Sequence, residues 1–256
     1  MSEQARTPDR MRLTDTVTGY VVDRVADRSL RPGDTLPGEA EFARQLNVSK
    51  PVVREALGRL SAMGLVQIQQ GKPTTIQALS SGPFQGLLRM TVQAHDHGLR
   101  EALELRRALE TEVAGLAAER ATPAHLAAID TALAAMEANM ADLDRWLDAD
   151  FSFHMALVQA SENRLLELLI EALADVIRFT LRLVGLQTDI RDPVASLARH
   201  RAIADAVRAG DVAGARQAME LHFEATRGVV VAIGADAARR GRLDTAMRPP
   251  GAGAQL

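Results

Sequence analysis

Apolar residues recur at helical intervals through most of this chain and switch to strict alternation only once. Over residues 9–28, Met11, Val17, Val21 and Val25 are spaced to share one helix face, and Arg31-Pro32-Gly33-Asp34 then forces a turn. A second helix is expected from Gly38 to Leu46 and a third from Lys50 to Met63, separated by Asn47-Val48-Ser49. Ser49 suits the N-cap of the third helix, Pro51 suits its first turn, where a missing N–H costs nothing, and Gly64 suits its end. The next stretch, LVQIQQGKPTTIQ, alternates around Gly71-Lys72 and predicts a two-stranded hairpin. Three helices followed by a hairpin make a winged helix-turn-helix, placed at residues 9–77.

ALSSGP, residues 78–83, is small and polar, so residues 78–84 read as a linker. Beyond it strand signals fade. Helical periods continue, with breaks near Gly98, Thr122-Pro123, Ser161-Glu162-Asn163, Asp189 to Pro193 and Gly210-Asp211. The chain is therefore expected to be mainly α, with an all-α antiparallel bundle of six or seven helices over residues 85–238. The last stretch, RRGRLDTAMRPPGAGAQL (239–256), has no sustained apolar face and is expected to be disordered.

An apolar content of 47% is ample for a core in a chain of 256 residues. The absence of cysteine excludes disulfides and thiolate-bound metal, leaving His, Asp and Glu as possible ligands. The N-terminus has no apolar signal region and no apolar run is long enough to span a bilayer, so a cytoplasmic location with no membrane partner is expected. Net charge is −3, but residues 1–79 carry 11 bases and 9 acids, leaving 19 and 24 in the remainder. From Arg44 to Lys72 there are five bases against the single acid Glu55, and the chain's only two lysines, Lys50 and Lys72, fall in this window. Such a window suits nucleic acid, although a solvated helix face gives the same asymmetry. In a helix-turn-helix the first turn of the second helix of the motif enters the major groove. Here that turn is Ser49 to Arg54, with Lys50 and Arg54 one helical turn apart on one face.

A second kind of chemistry lies in DADFSFHMAL, residues 148–157. Asp150 and His154, four apart on a helix, project from one face and can meet the same ion. His200 lies ten residues before Gly210 and His222 eleven after Asp211. In an antiparallel hairpin of helices each would sit roughly 15–17 Å from the turn at about 1.5 Å per residue, level with the other. A lone histidine on an apolar face is ordinarily a satisfied core residue; three histidines and a carboxylate compatible with one interior point favour a divalent metal. His95, His97 and His125 stand in polar or loop-like contexts and read as surface residues. On the helix LREALELRRALETEVAGLAAE, Arg106 falls within about 40° of the apolar stripe's centre. A buried guanidinium needs an anionic partner. Glu110, four residues on, is one candidate, and the carboxylate of a bound small acid is another.

LPGEAEFARQLNVSKPVVREALGRLSAMGLVQIQQGKPTTIQ resembles the DNA-binding domain of the GntR family of bacterial transcription regulators, with Arg54-Glu55-Ala56-Leu57 retained intact. The resemblance implies operator contacts by Ser49, Lys50 and Arg54, with Gln70 and Gly71 of the wing tip reaching the minor groove and Lys72 beside them. Two positions depart from the family pattern. Ala40 stands where many members have a base-contacting arginine, and Lys50 is a point charge where a forked arginine is common. Farther on, DxxFH at 150–154 and HRAIADAVRAGD…AMELH at 200–222 resemble the FCD effector domain of the FadR-like subfamily. In its metal-bearing branch the ligands map onto Asp150, His154, His200 and His222, and the ELRxxLE pattern at Glu104 to Glu110 implies that Arg106 receives an acid's carboxylate. The resemblance thus implies a homodimeric repressor of a metabolic operon, bound to a palindromic operator and controlled by a small organic acid at a metal site. Zinc is the first expectation for the ion, with nickel and manganese as alternatives. Two rival readings are a metal-dependent enzyme acting on a small carboxylic acid and a regulator whose metal is purely structural.

Overall fold

In the computed structural model, residues 7–95, 97–185 and 192–225 are described, and the chain divides into two compact units, residues 1–83 and 84–256. The expected disordered tail at 239–256 lies outside the described residues. No helix among the described residues is long and apolar enough to cross a membrane.

The first unit is a winged helix-turn-helix: α1 (Thr7–Ala26), α2 (Glu39–Gln45), α3 (Lys50–Ala62), β1 (Val66–Gln67) and β2 (Thr75–Ile76). Val17 and Val21 of α1 pack with Phe42 of α2 and Val53, Ala56, Leu57 and Leu60 of α3, and Tyr20 meets Phe42 edge-on at 5.7 Å. Met11, expected on the inner face of α1, is 56% exposed; the buried stripe begins one turn later, at Thr14. Ser49 occupies the N-cap of α3 in extended conformation, but its hydroxyl makes no capping bond. Asn47 takes a left-handed conformation (φ 53°) between α2 and α3, and Gly64 (φ 72°) ends α3, a conformation that costs glycine least. The wing pairs Val66 with Ile76 and Gln67 with Thr75, antiparallel. It is shorter than the alternation of residues 65–77 predicted, since Ile68 is 49% exposed and lies beyond the ladder. Residues 33–36 pair along its other edge instead, through Gly33 N–H to Ile76 O and Leu36 N–H to Thr74 O.

The second unit is all helical. Its elements are α4 (Gly82–Ala94), α5 (Gly98–Arg120), α6 (Pro123–Ala138), α7 (Leu143–Ala160), α8 (Arg164–Ala172), α9 (Ala174–Gly185), α10 (Pro193–Arg208) and α11, helical over 212–225. This is more than the six or seven expected because two breaks carry no strong sequence punctuation. One is the short turn from Asn139 to Asp142, and the other is a single residue, Leu173, between α8 and α9. Helix α4 also begins inside the stretch read as linker. Helix α7 is central, packing against α5, α6, α8 and α9 and burying Phe153, Leu157 and Val158. Gly210 (φ 69°) ends α10, and the Asp211 carboxylate accepts from Gly214 N–H to start α11. Ion pairs from Arg107 to Glu220 (2.7 Å) and Arg216 to Glu112 (3.0 Å) tie α11 to α5. Gly115 permits this closeness, because a Cβ there would lie 2.6 Å from Arg216 Nε.

Candidate metal centre

Three helices deliver one histidine each to a single buried point: His154 from α7, His200 from α10 and His222 from α11. One ring nitrogen of each lies within 4.8 Å of the other two, close enough for one ion to be bound by all three. Ring centroids are 5.5 Å apart for His154 and His200, 5.1 Å for His154 and His222, and 4.5 Å for His200 and His222. Asp150, one turn before His154, sends Oδ1 to 3.0 Å from His200 Nε2, while Oδ2 is 3.9 Å from His154 Nε2. Phe153 stands edge-on to both His154 and His200, and Phe223 packs beside His222, so the walls are apolar.

The hydrogen bonds decide which nitrogens face inward. His200 Nδ1 is 2.8 Å from the Ser196 carbonyl, which can only accept, so the ring's neutral tautomer carries its proton there and presents a bare Nε2 to Asp150. His154 Nδ1 lies 2.5 Å from Glu110 Oε2, an approach that calls for the proton on Nδ1 and again leaves Nε2 bare, although the pair is out of line for a good hydrogen bond. Facing lone pairs on buried nitrogens and carboxylate oxygens repel unless a cation lies between them. His154 Nε2, His200 Nε2, His222 Nδ1 and Asp150 Oδ2 are all buried without a hydrogen-bond partner. A donor set of three imidazoles and one carboxylate, with the second ring nitrogen of His200 hydrogen bonded and that of His154 set against Glu110, fits a borderline divalent ion such as zinc.

Electrostatics agree with this geometry. Burial alone would raise the Asp150 carboxyl, but the surrounding imidazoles of His200, His154 and His222 outweigh it and hold the group well below the usual carboxylate range. Glu110 is likewise pushed up by burial, but Arg106 and His154 prevail and hold it at about 2. Burial, reinforced by His200 and His154, keeps His222 well below its usual value, so its ring is neutral and can donate to a metal.

Arg106 is buried on α5, with Nε 2.5 Å from Glu110 Oε1 and its guanidinium 5.2 Å from the Phe223 ring. Its sequence-level candidate partner, Glu110, is therefore present, yet one terminal nitrogen of Arg106 remains buried and unpartnered. The bridge from Glu110 to His154 was not legible from the sequence. It joins α5 to α7 between residues 44 apart, and no local spacing announces such a contact.

The DNA-reading candidates lie in the other unit. Ser49, Lys50 and Arg54 are exposed at the start of α3, and Gln70, Gly71 and Lys72 are exposed at the wing tip, where Gly71 has φ 75°. Arg54 is not a free surface charge: Nε and one terminal nitrogen bind both oxygens of Glu39 at 3.1 and 2.6 Å, which holds Glu39 below its usual pKa. The exposed Ala40 leaves that part of α2 with no basic side chain.

A winged helix-turn-helix joined to an all-helical unit with a buried histidine cluster defines a class of ligand-responsive DNA-binding proteins. The comparisons with known proteins name the family: residues 13–76 match the gntR family of bacterial regulatory proteins, and residues 101–225 match the FCD domain. The regulator LutR of Bacillus subtilis is 35% identical over 205 residues, covering 78% of this chain and 92% of its own. A protein of Escherichia coli K12 provisionally named as the regulatory protein of the L-lactate dehydrogenase operon is 31% identical over 239 residues, covering 91% of this chain and 92% of its own. The solved structure of a Streptococcus agalactiae GntR protein shares the fold, with a TM-score of 0.67 over 84% of this chain and 99% of that one at 24% identity. The chain belongs to the gntR family, with an FCD domain, and is a transcription regulator; the metal-dependent enzyme reading is set aside.

Proposed function

We propose that this protein is a homodimeric repressor of a metabolic operon whose hold on a palindromic operator is altered by a small organic acid bound at a divalent metal. Residues 9–77 bind DNA, 78–84 connect, and 85–238 bind metal and effector. The metal, zinc in the first instance, is held by Asp150, His154, His200 and His222, and supplies Lewis-acid attraction for an incoming carboxylate. Arg106 supplies a charge-assisted hydrogen bond to the same acid through its unpartnered terminal nitrogen. The observation that carries this reading is the convergence of three buried imidazoles within 4.8 Å, with their inward nitrogens and Asp150 lacking any other partner. The name of the E. coli relative, which refers to an operon for oxidation of a hydroxy acid, points to the same class of effector.

On the DNA side, Lys50 and Arg54 contact base edges or phosphates of the major groove, Ser49 caps a phosphate contact, and Gln70, Gly71 and Lys72 engage the neighbouring backbone and minor groove. Two such units related by a two-fold axis read a palindrome. The acid can act only through unequal affinity for the operator-competent and incompetent arrangements.

The test is metal content by plasma mass spectrometry for the wild type and a His200→Ala, His222→Ala variant. About one zinc per chain is expected in the first and none in the second. A folded wild type that takes up no added zinc, nickel or manganese would show the four residues to be a polar core cluster. A metal whose removal unfolds the unit, with no carboxylic acid altering the holoprotein's thermal stability, would make it structural only.

A further inference from the structure

The fixed charges around the histidine cluster can be counted, because burial leaves no bulk water to balance them. Among the described residues they are one guanidinium, Arg106, and two carboxylates, Glu110 and Asp150, each no more than 4% exposed. Arg106 and Glu110 neutralise each other across 2.5 Å. Asp150 lies against His200, and the histidines are neutral when they offer lone pairs to an ion. A divalent ion in this setting leaves the centre with one net positive charge. We propose that the site is a charge filter, admitting monoanionic carboxylic acids and rejecting dianions, and that Glu110 is the residue that sets the limit. This rests on the metal-held acid described under the proposed function and goes beyond it by fixing the charge class of the ligand.

A monocarboxylate brings the centre to neutrality. A dicarboxylate brings it to one net negative charge inside apolar walls, where an uncompensated charge is strongly disfavoured. The neighbouring cations do not supply the missing charge. Arg107 and Arg216 are already paired with Glu220 and Glu112. Arg199 precedes His200 on α10 but is turned about 100° from it around the helix, and although its Nε is buried the residue is only half-buried, so solvent screens its charge. Without Glu110, Arg106 would bring a full positive charge to the acid. With it, Arg106 offers the directional hydrogen bonds of its unpartnered nitrogen but no net charge. Glu110 thus sets selectivity by neutralising the anion receptor next to it, while its other oxygen stays against His154.

The filter is testable on the zinc-loaded full-length chain by isothermal titration with three probes that share a 2-hydroxy carboxylate: L-lactate, L-malate, and the malate analogue in which the distal carboxylate is the amide. The last two match in size and differ by one charge. In the wild type, lactate and the amide are expected to bind at least about tenfold more tightly than malate. Glu110→Gln keeps the side chain's size and an oxygen for Arg106 while adding one positive charge to the centre. With zinc retained, it is expected to shift the ratio of malate to amide affinity by about tenfold or more toward malate.

Malate binding as tightly as the amide in the wild type would overturn the filter, and so would lactate binding with both larger acids silent, which is selection by size. An unchanged ratio in a zinc-loaded Glu110→Gln variant would remove Glu110 from the role. If that variant does not fold or loses zinc, the wild-type comparison of malate with its amide decides alone. Failure of all three acids to bind the zinc-loaded wild type would refute the metal-held acid itself, and the filter with it.

Discussion

Removing either Arg106 or Glu110 leaves the other buried and unpaired, so neither can be judged by its own contacts alone. Both are at most 3% exposed and 2.5 Å apart, and Glu110 also supports His154. Arg106→Met or Glu110→Leu is expected to cost about 3–5 kcal/mol of unfolding free energy, while the double substitution costs less than either alone, since it leaves no orphaned charge. Urea denaturation of the metal-free proteins, followed by circular dichroism, checks this, and additive losses would mean the two groups are not coupled. The pH dependence has a definite sign. Glu110 is held at about 2, below its ordinary 4.5. The stability it contributes is complete above about 4.5 and is lost as the pH falls from there through 2. The gap in stability between wild type and Glu110→Gln should narrow across that interval and stay level above it.

Helix starts in this protein fall into two kinds. At α7, α8 and α10, Asp142, Asn163 and Asp192 each accept a hydrogen bond from a backbone N–H of the first turn, and Asn163 accepts two. At α3, Ser49 holds the N-cap position without making the bond: Pro51 has no N–H, the Val52 and Val53 N–H groups bond the Ser49 carbonyl, and the exposed Ser49 hydroxyl is not used as a cap. An exposed hydroxyl next to Lys50 can donate to a phosphate oxygen. Asn163→Ala is therefore expected to lower stability by about 1–2 kcal/mol, and Ser49→Ala by no more than a few tenths, seen as shifts in thermal unfolding. Ser49→Ala should instead weaken DNA binding, measured by fluorescence anisotropy at fixed salt. A large stability loss from Ser49→Ala would show that its role is in capping.

For the regulator as a whole, binding is expected to be strongly salt dependent because phosphate contacts release counterions. Lys50→Ala, which removes a solvent-exposed charge from the reading face, should lower the slope of log affinity against log salt by about 1 for each protomer on the duplex. An unchanged slope would place Lys50 off the backbone. Affinity linkage between the two units must run both ways: if the acid weakens operator binding by some factor, operator DNA weakens acid binding by the same factor. Glu39 grips Arg54 in the free protein, so in the proposed operator contact its guanidinium would be oriented beforehand, with the donors turned away from Glu39 left for DNA.

The sequence by itself determined the kinds of element, most of their order and the identity of the four converging residues. The reason is local. Residues four apart share a helix face, and His200 and His222, ten and eleven residues from Gly210-Asp211, are brought nearly level by an antiparallel turn. Where local signals were weak, only the tertiary structure decided. The turn at Asn139 to Asp142 and the one-residue break at Leu173 contain no glycine or proline, the wing is shorter than its alternation, and Met11 lies outside the core. Tertiary structure also decided which ring nitrogens face inward, through the Ser196 carbonyl and Glu110. The reach of Glu110 from α5 to His154 on α7 was hidden for the same physical reason: it depends on how two helices distant in sequence pack, and side-chain periodicity along either one carries no record of the other.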